Sequence, residues 1–277
     1  MGGWYQSSVG CATFADDCDW RQPSDRLRAL QSQRSLGLNN VTVSAERAEP
    51  VTAMFSETRA AERDGTKRLD VLASYSTLSS VIYYASAIAL LHGLRTDFDP
   101  GYRYLSEYAR GPYGALMTST FFVLSAGSLA LSLGLCRSVV SRLRFVPGLL
   151  LWLTWACAVF LAGIYTSDLQ GTPHTRIGRI HDQMGMIAFP SATVALLLLS
   201  LALRWEKGWH SVWRPAMLLS VVALVSFLVL DRFGQMGLGG LDQRIFLAAT
   251  LLWMWIIGRR MLVIAKGDGA PMVRSKG

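Results

Sequence analysis

Three stretches of this 277-residue chain hold most of the side chains that could do chemistry beyond its polar N-terminal region. Residues 95–114 carry Asp97, Asp99, Glu107 and Arg110 among four tyrosines, and residues 167–185 carry Asp168, His174, Arg179, His181 and Asp182. Residues 231–244 end in Gln243 and Arg244. Glu107, Asp168 and His181 are the catalytic candidates, since carboxylates and an imidazole near neutral pH are the usual proton-transfer groups. Tyr108, Arg110, Arg179, Gln243 and Arg244 supply donors and planar surfaces suited to binding. A zinc-type reading would use His174, His181 and Asp182, all N or O ligands. The His174-x6-His181 spacing lacks the i, i+4 geometry that puts two imidazoles on one helix face, so no resident metal is expected. The competing reading is structural: Arg110, Arg179 and Arg244 pair with Glu107, Asp168 and Asp182 and lock the chain.

Those stretches must be positioned by the apolar blocks between them. The chain is 51% hydrophobic and 17% charged, against roughly 25% charged for soluble domains. Beyond residue 69 the apolar residues gather into six blocks, at 71–94, 113–135, 147–165, 184–203, 215–230 and 245–262. Blocks of ~17–25 residues are bilayer-length helices, so the expected fold is an all-α bundle of six transmembrane helices. The fifth is the short one. Lys and Arg number fifteen in the termini and connections on one side of this arrangement and seven on the other, which predicts cytoplasmic N- and C-termini. All three chemistry-bearing stretches then lie on the outer side. The net charge of +8 is explained by topology, so nucleic acid is not an expected partner.

Residues 1–69 read as a polar, mostly disordered cytoplasmic arm, 70–265 as the membrane domain and 266–277 as a tail. No signal-peptide core is present in 1–53, and Met54 is a plausible alternative start. Ser74, Ser76, Thr77, Ser79, Ser80 and Ser86 suggest that the first helix packs inside the bundle. Ser125, Ser128 and Ser132 share one face of the second, a close-packing signal. Pro190 predicts a kink in the fourth. Cys11, Cys18, Cys136 and Cys157 form no metal motif, His92, His181 and His210 are placed wrongly for a bis-imidazole haem, and no nucleotide or nucleophile-elbow motif occurs. No cofactor is expected.

The loop motifs carry a resemblance. Ser106-Glu107-Tyr108-Ala109 before Gly111-Pro112-Tyr113-Gly114, then Gly163 with Asp168, Gly178 and His181, then Gly240-Leu241 with Gln243-Arg244, resemble an uncharacterised prokaryotic six-helix membrane family catalogued as a domain of unknown function. Where that family usually has Phe-Pro before the aspartate loop, this chain has Tyr165-Thr166. The resemblance implies the fold, a bacterial cytoplasmic (inner) membrane location and no particular activity. Two functions are therefore expected to compete. One is an outward-facing polar pocket that binds or processes a lipid or isoprenoid, with membrane lipids as partners. The other is a non-enzymatic accessory or sensor protein whose loop residues only clamp the bundle. The sequence leaves enzymatic activity and oligomeric state open.

Overall fold

A computed structural model describes residues 48–267, with side chains from residue 64 onward. The chain divides into two units, 1–59 and 60–277. Of the first, only the opening turns of a helix are described, and the arm expected over 1–47 lies outside the described residues. The described elements are all helical: α1 (Ala48–Leu94), which begins in the first unit, α2 (Gly114–Ser138), α3 (Arg142–Ile164), α4 (Arg176–Leu203), α5 (Trp213–Gln235) and α6 (Gly239–Lys266), with 3₁₀ turns at Leu105–Ala109 and Lys207–Trp209. Among the described residues six helices are long and apolar enough to cross a membrane, the first over Asp64–Leu94. The protein is a multi-pass membrane protein.

Each helix overruns its apolar block at one end or both, because helix formation depends on propensity while the bilayer selects only the apolar part. α1 starts at Ala48, inside the stretch expected to be disordered. Its opening is rich in Ala, Glu and Arg, strong helix formers, and Pro50 falls in the first turn, where its missing N–H costs nothing. The short fifth block becomes the 23-residue α5, about 35 Å at 1.5 Å per residue and enough for a ~30 Å hydrocarbon core. At the other end of the chain α6 stops at Gly267, whose φ of 79° is a left-handed cap that glycine adopts without strain.

Lipid removes the hydrophobic drive between helices, so close approach and buried hydrogen bonds hold the bundle. A Cβ on Gly127 of α2 would stand 1.8 Å from Ser80 Oγ of α1, and Thr77 Oγ1 donates across to Gly127 O at 3.3 Å. The expected small-residue face of α2 packs on α3: Ser125 Oγ donates to Ala156 O (2.9 Å), while the Trp152 and Trp155 indoles donate to Ser128 O and Oγ. Trp253 of α6 lies 5.4 Å from Trp152 and donates to Ser200 Oγ of α4, which meets Ser220 Oγ of α5 at 3.0 Å. α1 is less enclosed than its hydroxyls suggest. Ser74, Thr77 and Ser80 are buried, whereas Ser76, Ser79 and Ser86 on the opposite face are exposed. α4 runs unbroken through Pro190.

One end of the bundle carries the α1–α2, α3–α4 and α5–α6 connections and is here the clamp end. The other, with the α2–α3 and α4–α5 connections, is the basic end. There Arg137 of α2 is tied to Asp70 and to Thr66 O of α1.

Candidate functional site

Residues 95–113 form a lid across the clamp end, held by charge. Arg95, almost fully buried, turns back from the end of α1 and grips Asp97 with two bonds of 2.8 and 2.9 Å. Its Nη1 donates to Arg110 O at 2.7 Å, which closes the two ends of the lid on each other, and its guanidinium lies 3.8 Å above the Phe98 ring. The hydrogen-bonded Arg95 holds the Asp97 carboxyl below its ordinary value.

Glu107 lies inside this lid with no exposed surface. Its Oε1 accepts Tyr104 N–H at 2.9 Å, an N-terminal cap of the 3₁₀ turn, and its Oε2 accepts Arg103 Nη1 (2.8 Å) and Gln170 N–H (3.1 Å). Arg103 also reaches Gln170 O at 3.1 Å, so one carboxylate and one guanidinium together bind lid to the α3–α4 connection. The counter-charge of Glu107 is therefore Arg103, one helical turn before it, and not Arg110. Arg103 and Gln170 were absent from the sequence candidates, although the Arg103–Glu107 spacing of four was a visible signal.

Asp168 takes Arg110, one of the three arginines expected as counter-charges; its Nη2 donates to Oδ1 at 2.9 Å and its Nε donates to Ser167 O at 2.6 Å. The same carboxylate accepts Thr175 N–H (2.6 Å) and Thr175 Oγ1 (3.0 Å), and Thr175 in turn caps α4 by accepting Gly178 N–H. Bonds from Thr175, then the Arg110 charge, hold Asp168 below the ordinary carboxylate value. Gly178 is required sterically, since a Cβ there would come within 2.0 Å of Asp168 Oδ2.

α6 enters the same assembly through its N-terminus. A Cβ on Gly240 would stand 2.4 Å from Arg103 O, so only glycine admits this approach. Gln243 Oε1 accepts Leu105 N–H at 2.6 Å. Arg244 pairs with no acid among the described residues; it donates to Arg103 O and Gly240 O (2.8 Å each) and to His92 Nε2 (3.0 Å), while His92 Nδ1 donates to Ile88 O. Tyr108 is fully buried between His92 and Phe98 and lines neither cavity described below; burial raises its phenol and Arg244 partly offsets that rise. Arg179 is exposed and has no partner among the described residues. Asp242, almost fully buried, bonds Ser226 Oγ through Oδ1, and its Oδ2 has no partner among the described residues.

His181 differs from both acids. Its Nδ1 faces Ala162 O (3.0 Å) and Tyr165 O (2.7 Å), carbonyls left open at the end of α3, so Nδ1 carries the proton and Nε2 is the free acceptor. Nε2 has no hydrogen-bond partner among the described residues. The ring lines two adjoining cavities, of about 340 and 60 Å³, which share Ser106, His181, Gly185, Phe189 and Gln243. The larger runs from Tyr104, Ser167 and Asp182 to Met186, Pro190, Phe227 and Leu230, between α4 and α5.

The structure thus draws the three catalytic candidates into one end of the bundle but gives them different work. Glu107 and Asp168 spend their oxygens on the lid and on the start of α4, and only His181 faces open space. His174 Nδ1 meets Asp182 at 3.5 Å with both side chains exposed, while His181 turns the other way onto α3, which splits the alternative metal set. No group of three or more His, Cys, Asp or Glu side chains could hold a metal ion among the described residues. No curated protein and no solved structure matches the chain. Residues 77–260 match the family described as Protein of unknown function (DUF998), and because that match takes in the lid, all three clamp-end connections and more than half of the chain, the protein belongs to that family.

Proposed function

We propose that this membrane protein binds a lipid or isoprenoid amphiphile in the 340 Å³ cavity between α4 and α5, in a bacterial cytoplasmic membrane with both termini cytoplasmic. The observation that carries the reading is the polarity of that cavity. Its clamp-end wall offers Ser106, Ser167, His181 and Gln243, and its membrane-level wall offers Met186, Phe189, Phe227 and Leu230. A polar head at His181 Nε2 and Gln243 with an apolar tail against Phe189 and Phe227 satisfies both walls, and 340 Å³ lies within the ~300–1,000 Å³ usual for ligand sites. The orientation rests on the fifteen-to-seven Lys/Arg split.

The accessory or sensor reading has its own support, because Glu107 and Asp168 are engaged in holding the lid. The two readings combine as a binding protein whose acids are structural. The test is Gly185→Leu: a Cβ on Gly185 meets only Phe189, at 4.0 Å, so the longer side chain fills the cavity without displacing backbone. Lipid extracted from purified wild-type protein and measured by mass spectrometry should contain a species that the Gly185→Leu protein loses while its unfolding midpoint stays unchanged. An identical lipid complement in both proteins would refute the reading.

A further inference from the structure

At the basic end a separate cavity, of about 620 Å³, lies between the α2–α3 connection, the α4–α5 connection and the end of α6. It is separate from the clamp-end cavity and shares none of its lining residues. Lys207 and Arg260 line it. Arg260 spends only Nε, on Gly208 O at 2.6 Å, and Lys207 has no hydrogen bond or ion pair among the described residues. The acid in the wall is Glu206, which is nearly fully buried and already accepts Ser141 N–H (2.9 Å) and Val140 N–H (3.3 Å). Arg144 and Arg204, which flank Trp205 on the rim, likewise pair with no acid among the described residues. Two lining cations against one acid leave the local field net positive.

Two further features indicate what would spend it. Trp209, 1% exposed in the cavity wall, has an indole N–H with no acceptor among the described residues, and an unpaired buried donor is costly. The rim is apolar and aromatic: Val140 is exposed, and Trp205, 51% exposed, has Arg144 at 5.7 Å and Arg204 at 6.0 Å from its ring. Tryptophan flanked by arginines at a helix end sits at headgroup depth.

From this we infer that the basic-end cavity binds the phosphate head of an anionic glycerophospholipid. Lys207 and the free Nη groups of Arg260 meet the phosphate oxygens, and Trp205 and Val140 meet the glycerol and upper acyl chains. A cavity of 620 Å³ with an apolar rim suits a lipid better than a free phosphate ion. This inference is independent of the clamp-end reading.

The test is native mass spectrometry of the full chain in detergent, titrated separately with phosphatidylglycerol, phosphatidylcholine and inorganic phosphate. Phosphatidylglycerol should be retained, phosphatidylcholine should not, and inorganic phosphate should neither bind as tightly nor displace the lipid. At roughly fivefold per basic residue, Lys207→Gln/Arg260→Gln should weaken phosphatidylglycerol about 25-fold. Should loss of the Gly208 contact unfold that protein, Lys207→Gln alone should still weaken binding about fivefold. Arg142→Gln/Arg214→Gln removes two exposed cations that do not line the cavity and should change affinity less than about twofold. Equal loss in the two double variants would reduce the effect to diffuse surface charge and overturn the site. Equal retention of phosphatidylcholine, or phosphate binding as tight as the lipid's, would also overturn it.

Discussion

Replacing Glu107 with alanine should destabilise the bundle by about 3–5 kcal/mol, the cost of breaking a buried ion pair by removing one partner. The deleted carboxylate leaves Tyr104 N–H and Gln170 N–H without their acceptor, and leaves Arg103 with Gln170 O as its remaining bond in the lid. The Arg103 side chain is 26% exposed against 1% for Glu107, so water recovers part of the guanidinium's loss but little of the rest. Glu107→Gln keeps an acceptor oxygen and loses the charge-assisted bond, for about 1.5–3 kcal/mol. The assay is equilibrium unfolding in mixed micelles of Glu107→Ala, Arg103→Ala and the double variant, with Arg179→Ala as an exposed control expected within about 0.5 kcal/mol of wild type. A coupling energy between positions 103 and 107 below about 0.5 kcal/mol would refute the clamp. So would a Glu107→Gln protein of wild-type stability that had lost its bound amphiphile, because Glu107 would then serve the ligand.

Three other outcomes are expected. Asp168 titrates below the ordinary Asp value of 3.8, so the stability it adds is fully present above that pH and is lost as pH falls through the lower folded value; acid unfolding curves should show Asp168→Asn flattening the decline below about pH 4. Gly240→Ala drives a Cβ into two backbone carbonyls, Arg103 O at 2.4 Å and Pro100 O at 2.8 Å, whereas Gly134→Ala meets the flexible tip of Met261; unfolding midpoints should show the first costing about 1–3 kcal/mol or more and the second clearly less. With cytoplasmic termini, a thiol probe that cannot cross the membrane should label a cysteine placed at Thr172 in spheroplasts and miss one at Lys207, and the reverse pattern would invert the topology.

Helix number follows from the chain alone, because bilayer insertion sums hydropathy over consecutive residues and needs no knowledge of neighbours. The face of Ser125, Ser128 and Ser132 was legible for a similar reason, since helical spacing is local. So was the gathering of Glu107, Asp168 and His181 at one end, which the alternation of spans alone requires. Which charge meets which was not read from the chain, although the spacing of Arg103 and Glu107 hinted at one pair. Arg103 finds Glu107 because the lid makes a 3₁₀ turn there, and Arg244 finds His92 and backbone carbonyls because Gly240 lets α6 press against the lid. The loop motif set His181 apart from His174, but nothing in the sequence said what its ring would meet. Only the packing of α4 against the open carbonyls of α3 turns it inward, fixes its proton on Nδ1 and leaves Nε2 facing a cavity. Both cavities are bounded by residues far apart in the chain, so they exist only where three or more elements meet, which a local pattern does not encode.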